Sequence, residues 1–239
     1  MSSSFPCRKY RILKIVSVPA AGGGSVAENT QADSRADSRD KILQACERTI
    51  ARSGLRSFRM QDVAREAGVS IGLLSYHFGD RDGLLQAALD HVNARSSDRA
   101  GRTPHAHTPA QRLSALLCSE FGDDAQVRAG SIVWNELRAV SVFEPTSAAA
   151  LTRSTAEWQS AVETLIGEAI LACTPQDHEP EQNTGPAATA LLLTALVEGL
   201  SGRWLTGQIT ADEAQHAVRF ALHGLGLSES DAPGVPSGA

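Results

Sequence analysis

The chain has 239 residues, 42% of them hydrophobic, and a formal net charge of −5, enough for one large domain or two modest ones around a substantial core. No run approaches the roughly 18–20 apolar residues of a membrane span. The four cysteines, Cys7, Cys46, Cys118 and Cys173, are scattered without a C-x-x-C pair, which argues against a disulfide framework or a structural zinc site and for reduced thiols in the cytoplasm.

Period-two runs of β-branched residues are absent, while Ala, Leu, Glu and Arg dominate, so an all-α fold is expected. The charge divides unevenly. Residues 1–36 carry five Lys/Arg against two Asp/Glu, residues 37–95 nine against eight, and residues 96–239 eight against seventeen. The acidic C-terminal part is expected to form a body that keeps away from polyanions, so any phosphate contact must come from local geometry and a few well-placed arginines.

Residues 1–36 read as a disordered extension. CRKYRILKIVSVPAAGGG places basic residues before an apolar patch, but Lys14 interrupts a patch already too short for a secretion signal. A basic arm reaching into a minor groove and a floppy tail or mis-assigned start are the two readings open for it. A first helix is expected from Ser38 through Arg52, with Ile42, Leu43, Cys46 and Ile50 on its buried stripe and Ser53-Gly54 as its stop. Phe58 then reads as a core anchor.

The next stretch, RMQDVAREAGVSIGLLSYHF, spells two short helices joined by a tight turn. Met60, Val63, Ala64 and Ala67 form the apolar stripe of the first. Gly68 suits a C-terminal cap, Val69 can plug the corner, and Ser70 can cap the second helix. In that second helix Leu74 and Phe78 should be buried, leaving Leu73, Tyr76 and His77 on the opposite side. Helix, glycine turn, helix is the form of a helix-turn-helix, whose second helix can lie in the DNA major groove. Asp80 then caps a further helix, expected over about 81–95, whose free N–H groups and dipole make a phosphate site beside Arg81.

The segment from Gly54 to Leu85, with DVAREAGVS, Gly72, the YHF of Tyr76–Phe78 and GDRDGLL, resembles the DNA-binding domain of the TetR family of bacterial repressors. The resemblance covers residues 37–95 and implies a three-helix DNA-binding domain. It implies phosphate contacts from Tyr76 and His77, His77 having a competing role at its helix C-terminus. This chain departs from the family pattern at four places, one of them Arg81 where Lys is usual. Arg59 stands where Thr or Ser usually caps the second helix, giving up that cap unless Ser57 substitutes while offering a phosphate ligand or a merely exposed side chain. Ile71 stands in place of Lys, and Leu73 in place of Thr. Ile71 is open between the core and thymine methyl groups, and Leu73 is expected at the bases. With Ser70, Gly72 and Arg81, these residues make the expected DNA interface.

Residues 96–108 read as a polar linker, in which His105-x-His107 has no accompanying cluster for a metal. Five helices follow, over about 109–121, 124–143, 146–173, 185–207 and 211–226, with a Pro175–Gly185 loop and a disordered tail from residue 228. Residues 109–227 are thus expected to form a helical ligand-binding and dimerisation domain. Leu191, Leu192, Ala195, Leu196, Gly199 and Leu200 on one late helix, and Ala217, Phe220, Ala221 and Leu225 on the other, fit a four-helix bundle with a second copy.

Trp134–Val140 (WNELRAV) and Leu196–Thr210 (LVEGLSGRWLTGQIT) resemble the C-terminal domain of the choline-sensing, BetI-type branch of that family. Trp134, Glu136, Trp158 and Trp204 are the candidates for a ligand pocket, where aromatic rings and carboxylates such as Glu144 and Glu198 would suit a cation. The chain therefore reads as a homodimeric repressor on a palindromic double-stranded DNA operator, released by a small-molecule inducer, with no cofactor, metal or membrane. No G-x-S-x-G, H-E-x-x-H or phosphate-cradling loop marks an enzyme. An activator or ligand-independent helical adaptor, and more remotely a cryptic helical enzyme, are the alternatives.

Overall fold

A computed structural model describes residues 26–104, 106–173 and 185–228, with side chains from residue 37 onward except that of Cys173. Among the described residues there are nine α-helices, one short 3-10 turn and no strand. Two compact units divide between Asp37 and Ser38. The described backbone of the first, from Val26, is helical. The basic stretch of the extension, Cys7, His105, the Pro175–Gly185 loop up to residue 184 and the tail beyond residue 228 lie outside the described residues.

α1 runs Val26–Ser53, beginning well before the expected start at Ser38. The reason lies in composition: from Val26 to Ser53 there is neither Gly nor Pro to stop propagation. Residues 26–36, expected as part of a disordered extension, thus lie in α1. After a 3-10 turn, Leu55–Ser57, come α2 (Met60–Ala67) and α3 (Ile71–Phe78). α4 covers Arg81–Gly101, running into the first part of what composition marked as linker. Ser96 and Ala100 are buried there, and the Ser96 hydroxyl bonds the Glu120 carboxylate. At Ser96 the polar residue thus meets a buried hydrogen-bond partner, while most of the described stretch around it stays exposed.

α5 (Pro109–Cys118), α6 (Ala125–Ser141), α7 (Pro145–Cys173), α8 (Pro186–Leu205) and α9 (Ala211–Gly224) follow within a few residues of expectation. Local caps set their starts. Asp124 accepts from Gln126 N–H at 2.6 Å, and Thr108 and Thr210 each close a reciprocal capping box.

Two apolar cores result. The first joins Ile42, Leu43, Cys46 and Ile50 of α1 to Phe58, Val63, Leu74, Phe78, Leu84 and Leu89, and takes in Val133 and Leu137 of α6. The second lies among α5 and α7–α9, around Leu113, Leu117, Val162, Ile166, Leu193 and Val218. Because α6 contributes to the first core, the head (α1–α3) and the helical body are not separable by cutting α4 alone. α4 and α6 meet closely at Gly130, where a Cβ would stand 3.0 Å from a Val92 methyl.

α1 and α4 are clamped by charge. His91 Nδ1 lies 2.7 Å from Glu47 and Nε2 lies 2.7 Å from Asp40, while Arg95 reaches the other Glu47 oxygen at 2.5 Å. An imidazole between two carboxylates must carry both protons to donate to both. Its pKa is accordingly raised above the ordinary value, the Glu47 bond being the main cause, and burial opposes the shift. Cys46 is a buried free thiol and Cys118 a half-buried one; burial pushes both thiols up in pKa, with Arg219 opposing the shift at Cys118. No helix of the described residues is long and apolar enough to cross a membrane.

Candidate nucleic-acid interface and body cavity

The turn between α2 and α3 forms as its residues dictate. Gly68 ends α2 at φ 68°, its N–H bonded to the carbonyls of Ala64 and Arg65; a left-handed residue costs glycine nothing. Val69 is half-buried against the first core. The Ser70 hydroxyl accepts from Leu73 N–H at 3.1 Å, and Asp80 does the same for Gly83 at 2.9 Å. Leu74 and Phe78 are buried as expected.

What remains outward on α3 is unusual. Ile71 is 46% exposed and Tyr76 71% exposed, Gly72 and Ser75 are exposed, and Leu73 and His77 are half-exposed. The alternative of a core role for Ile71 is thus removed. Arg59 occupies the α2 cap position, is exposed, and makes no side-chain cap bond, nor does Ser57 substitute for it. Replacing it with Thr supplies the missing acceptor. Arg59→Thr should raise the unfolding free energy by about 1 kcal/mol in urea titrations while weakening DNA binding and flattening its salt dependence.

Arg81 is engaged within the protein. Its guanidinium lies 3.5 Å from Asp82 and 3.9 Å from Glu144, and 6.0 Å from the Phe58 ring centroid. It stays partly open at the α4 N-terminus, so a phosphate would compete with two carboxylates for it.

The body holds a cleft lined by Asn93 of α4, by Glu120 in the turn after α5, by Ser131, Trp134 and Arg138 of α6, Trp158 of α7, and Val197, Glu198 and Ser201 of α8. Its cavity is small, about 30 Å³, on the scale of a water or two. A larger ligand must therefore push helices apart. Arg138 pairs with Glu198 at 3.2 Å, the Ser131 and Ser201 hydroxyls meet at 2.6 Å, and Asn135 donates to Ser201 at 2.8 Å. The buried indole N–H of Trp158 has no hydrogen-bond partner among the described residues. It is thus a donor available to an arriving oxygen. Burial holds the Glu120 carboxyl above the usual carboxylate range, with the Ser96 bond and Arg99 pulling the other way.

Of the four expected ligand residues, Trp134 and Trp158 line the cleft and two do not. Glu136 turns toward the head, where its carboxylate accepts from Leu55 N–H at 2.7 Å. Trp204 is buried in the second core, edge-on to Phe121 with centroids 5.9 Å apart and under the Arg128 guanidinium at 5.6 Å. Packing explains the tryptophan; a backbone donor in a distant turn explains the glutamate. Missed by sequence reasoning were Asn93, Glu120 and Arg138. Nothing local marks them, since they are polar residues among other polar residues of α4, α6 and the turn after α5. Among the described residues no cluster of three His, Cys, Asp or Glu could hold a metal.

The face expected for pairing with a second copy also divides. Leu191, Leu192, Ala195 and Gly199 of α8 and Phe220 of α9 are exposed, whereas Leu200, Ala221 and Leu225 pack on the second core.

Comparison with known proteins bears on both parts. Residues 42–88 match the family model for bacterial regulatory proteins of the tetR family, and residues 109–226 match the model for the BetI-type transcriptional repressor C-terminal domain. The HTH-type transcriptional regulator BetI of Burkholderia mallei is 28% identical over 188 residues, covering 77% of this chain and 89% of the relative. A crystal structure of a protein assigned to the TetR-family transcriptional regulators, from Rhodococcus sp., is 39% identical, covers 80% of this chain and 98% of its own, and superposes with a TM-score of 0.73. A transcriptional regulator from Saccharomonospora viridis, solved in complex with choline, shares the fold at 22% identity, with 79% and 96% coverage and a TM-score of 0.63.

Proposed function

The chain belongs to the TetR family of bacterial transcriptional regulators, which are not enzymes, and from that premise we propose a homodimeric repressor that binds a palindromic operator and is released by a small cationic molecule. The observation that carries this reading is the outward face of α3, whose isoleucine, glycine and tyrosine stand exposed as an apolar and aromatic surface that suits a groove.

In this reading α3 enters the major groove, and Arg59, Tyr76, His77 and Arg81 contact phosphates. Two heads about one DNA turn apart need a two-fold axis, supplied by the exposed apolar faces of α8 and α9. Trp134 and Trp158 offer ring faces, and Glu198 a carboxylate, to a cation; the choline held by the Saccharomonospora viridis regulator is of that class. A ligand that opens the cleft displaces α4, which lines it through Asn93 and carries Arg81 at its other end. It need prefer the non-binding arrangement by only several kcal/mol, about 5.5 for a near-complete switch.

Gel-shift titration of promoter fragments, with and without quaternary ammonium compounds, tests the whole scheme. Indifference to every fragment at low ionic strength overturns it. Tyr76→Ala, at a site exposed enough to leave the fold intact, should weaken operator binding by roughly tenfold, the cost of one hydrogen bond to a charged group. Tyr76→Phe should reproduce that loss if the hydroxyl is the contacting group. Unchanged affinity in both variants removes Tyr76 from the interface.

A further inference from the structure

A recognition helix identifies bases with the side chains it carries, and α3 lacks the usual ones. From Ile71 to Phe78 there is no Arg, Lys, Asn or Gln, so the bidentate pairings that select guanine or adenine are unavailable. At about 100° per residue, the outward arc runs from Ile71 through Ser75, Gly72 and Tyr76 to Leu73. Gly72 sits near its middle, with the two aliphatic side chains on either side.

Gly72 itself is not required by the fold. A Cβ there would meet only the Ser70 hydroxyl oxygen, at an ordinary 3.8 Å, and its φ lies outside the left-handed range. Gly72 is the second residue of α3, where alanine is the better helix former, and no described neighbour requires a glycine there. Close approach of another molecule does. The major groove offers one apolar feature for aliphatic side chains, the 5-methyl group of thymine.

We propose that each α3 reads its half-site through thymine methyl groups, contacted by Ile71 and Leu73 on either side of a notch at Gly72. This rests on the reading of α3 as the groove-entering helix. Phosphate contacts from the flanking arginines then set position, and methyl contacts set sequence. The operator half-sites are accordingly marked by thymines, on one strand or the other, opposite the first turn of α3.

The full chain tests this in two steps. Selection from random duplexes at low ionic strength yields the operator, and its thymines are then replaced by deoxyuridine, which removes the methyl and keeps the base pairing. Each contacted methyl should be worth roughly fourfold in affinity. In Ile71→Ala, and separately in Leu73→Ala, the deoxyuridine penalty at the corresponding position should vanish. Gly72→Ala should raise the melting temperature yet weaken operator binding by roughly tenfold through overpacking.

A deoxyuridine operator bound as tightly as the thymine one overturns the proposal, as does a full penalty persisting in both alanine variants. So does a consensus without thymines under α3, where the Ser75 and Tyr76 hydroxyls would then have to read the bases. A selection that enriches no sequence at all overturns the operator reading itself, a distinct outcome.

Discussion

Glu47→Gln lowers the unfolding free energy by about 3 kcal/mol, the cost of breaking a buried ion pair from one side. Glu47 is only 2% exposed and takes Arg95 on one oxygen and His91 on the other. The amide leaves two cationic groups facing a neutral one, with only Asp40 remaining for His91. Urea titration followed by circular dichroism measures the effect; a change below about 1 kcal/mol, the scale of an exposed pair, would mean that the clamp between α1 and α4 is solvated.

The same network makes stability depend on pH with a definite sign. His91 has a folded-state pKa raised above its ordinary 6.5. Its contribution is therefore complete below about pH 6.5 and is lost as pH rises through the folded value. Stability should fall from slightly acid to alkaline solution, and in the Gln variant that slope should be smaller.

On the proposed dimer, Leu192→Asp combined with Phe220→Asp should yield a monomer and weaken operator binding by at least about a hundredfold, because two linked heads bind with an avidity that single heads lack. Leu192 is 56% exposed on α8 and Phe220 74% exposed on α9, so neither substitution removes a core contact. Sedimentation velocity reads the oligomeric state, and gel-shift titration reads the affinity. A variant that remains dimeric places the pairing surface elsewhere; a wild type that is monomeric when bound to its operator removes the two-fold premise.

Much of the head was legible because its signals are local. A cap acts over three residues, as with Ser70 to Leu73 and Asp80 to Gly83, and an apolar stripe repeats every three or four. Val63, Leu74 and Phe78 could therefore be placed from spacing alone. Ile71 could not. It lies within about 60° of Leu74 on the helical wheel, and whether α4 or α1 covers it depends on how those helices cross. The linker failed for a related reason: polar residues look the same whether they meet water or, like Ser96, a buried carboxylate.

The order of helices, their caps, the helix-turn-helix and the apolar character of the recognition face were determined by the chain itself, since each depends on residues within a turn or two. Only the tertiary structure decided which charged and aromatic groups meet. Glu136 finds its partner at Leu55 in the head, Trp204 goes to the core, and the cleft draws on α4, α6, α7 and α8 together. Hydrogen-bond and packing partners far apart in sequence are set by where helices cross, and a crossing is a property of whole packed faces that no single residue announces.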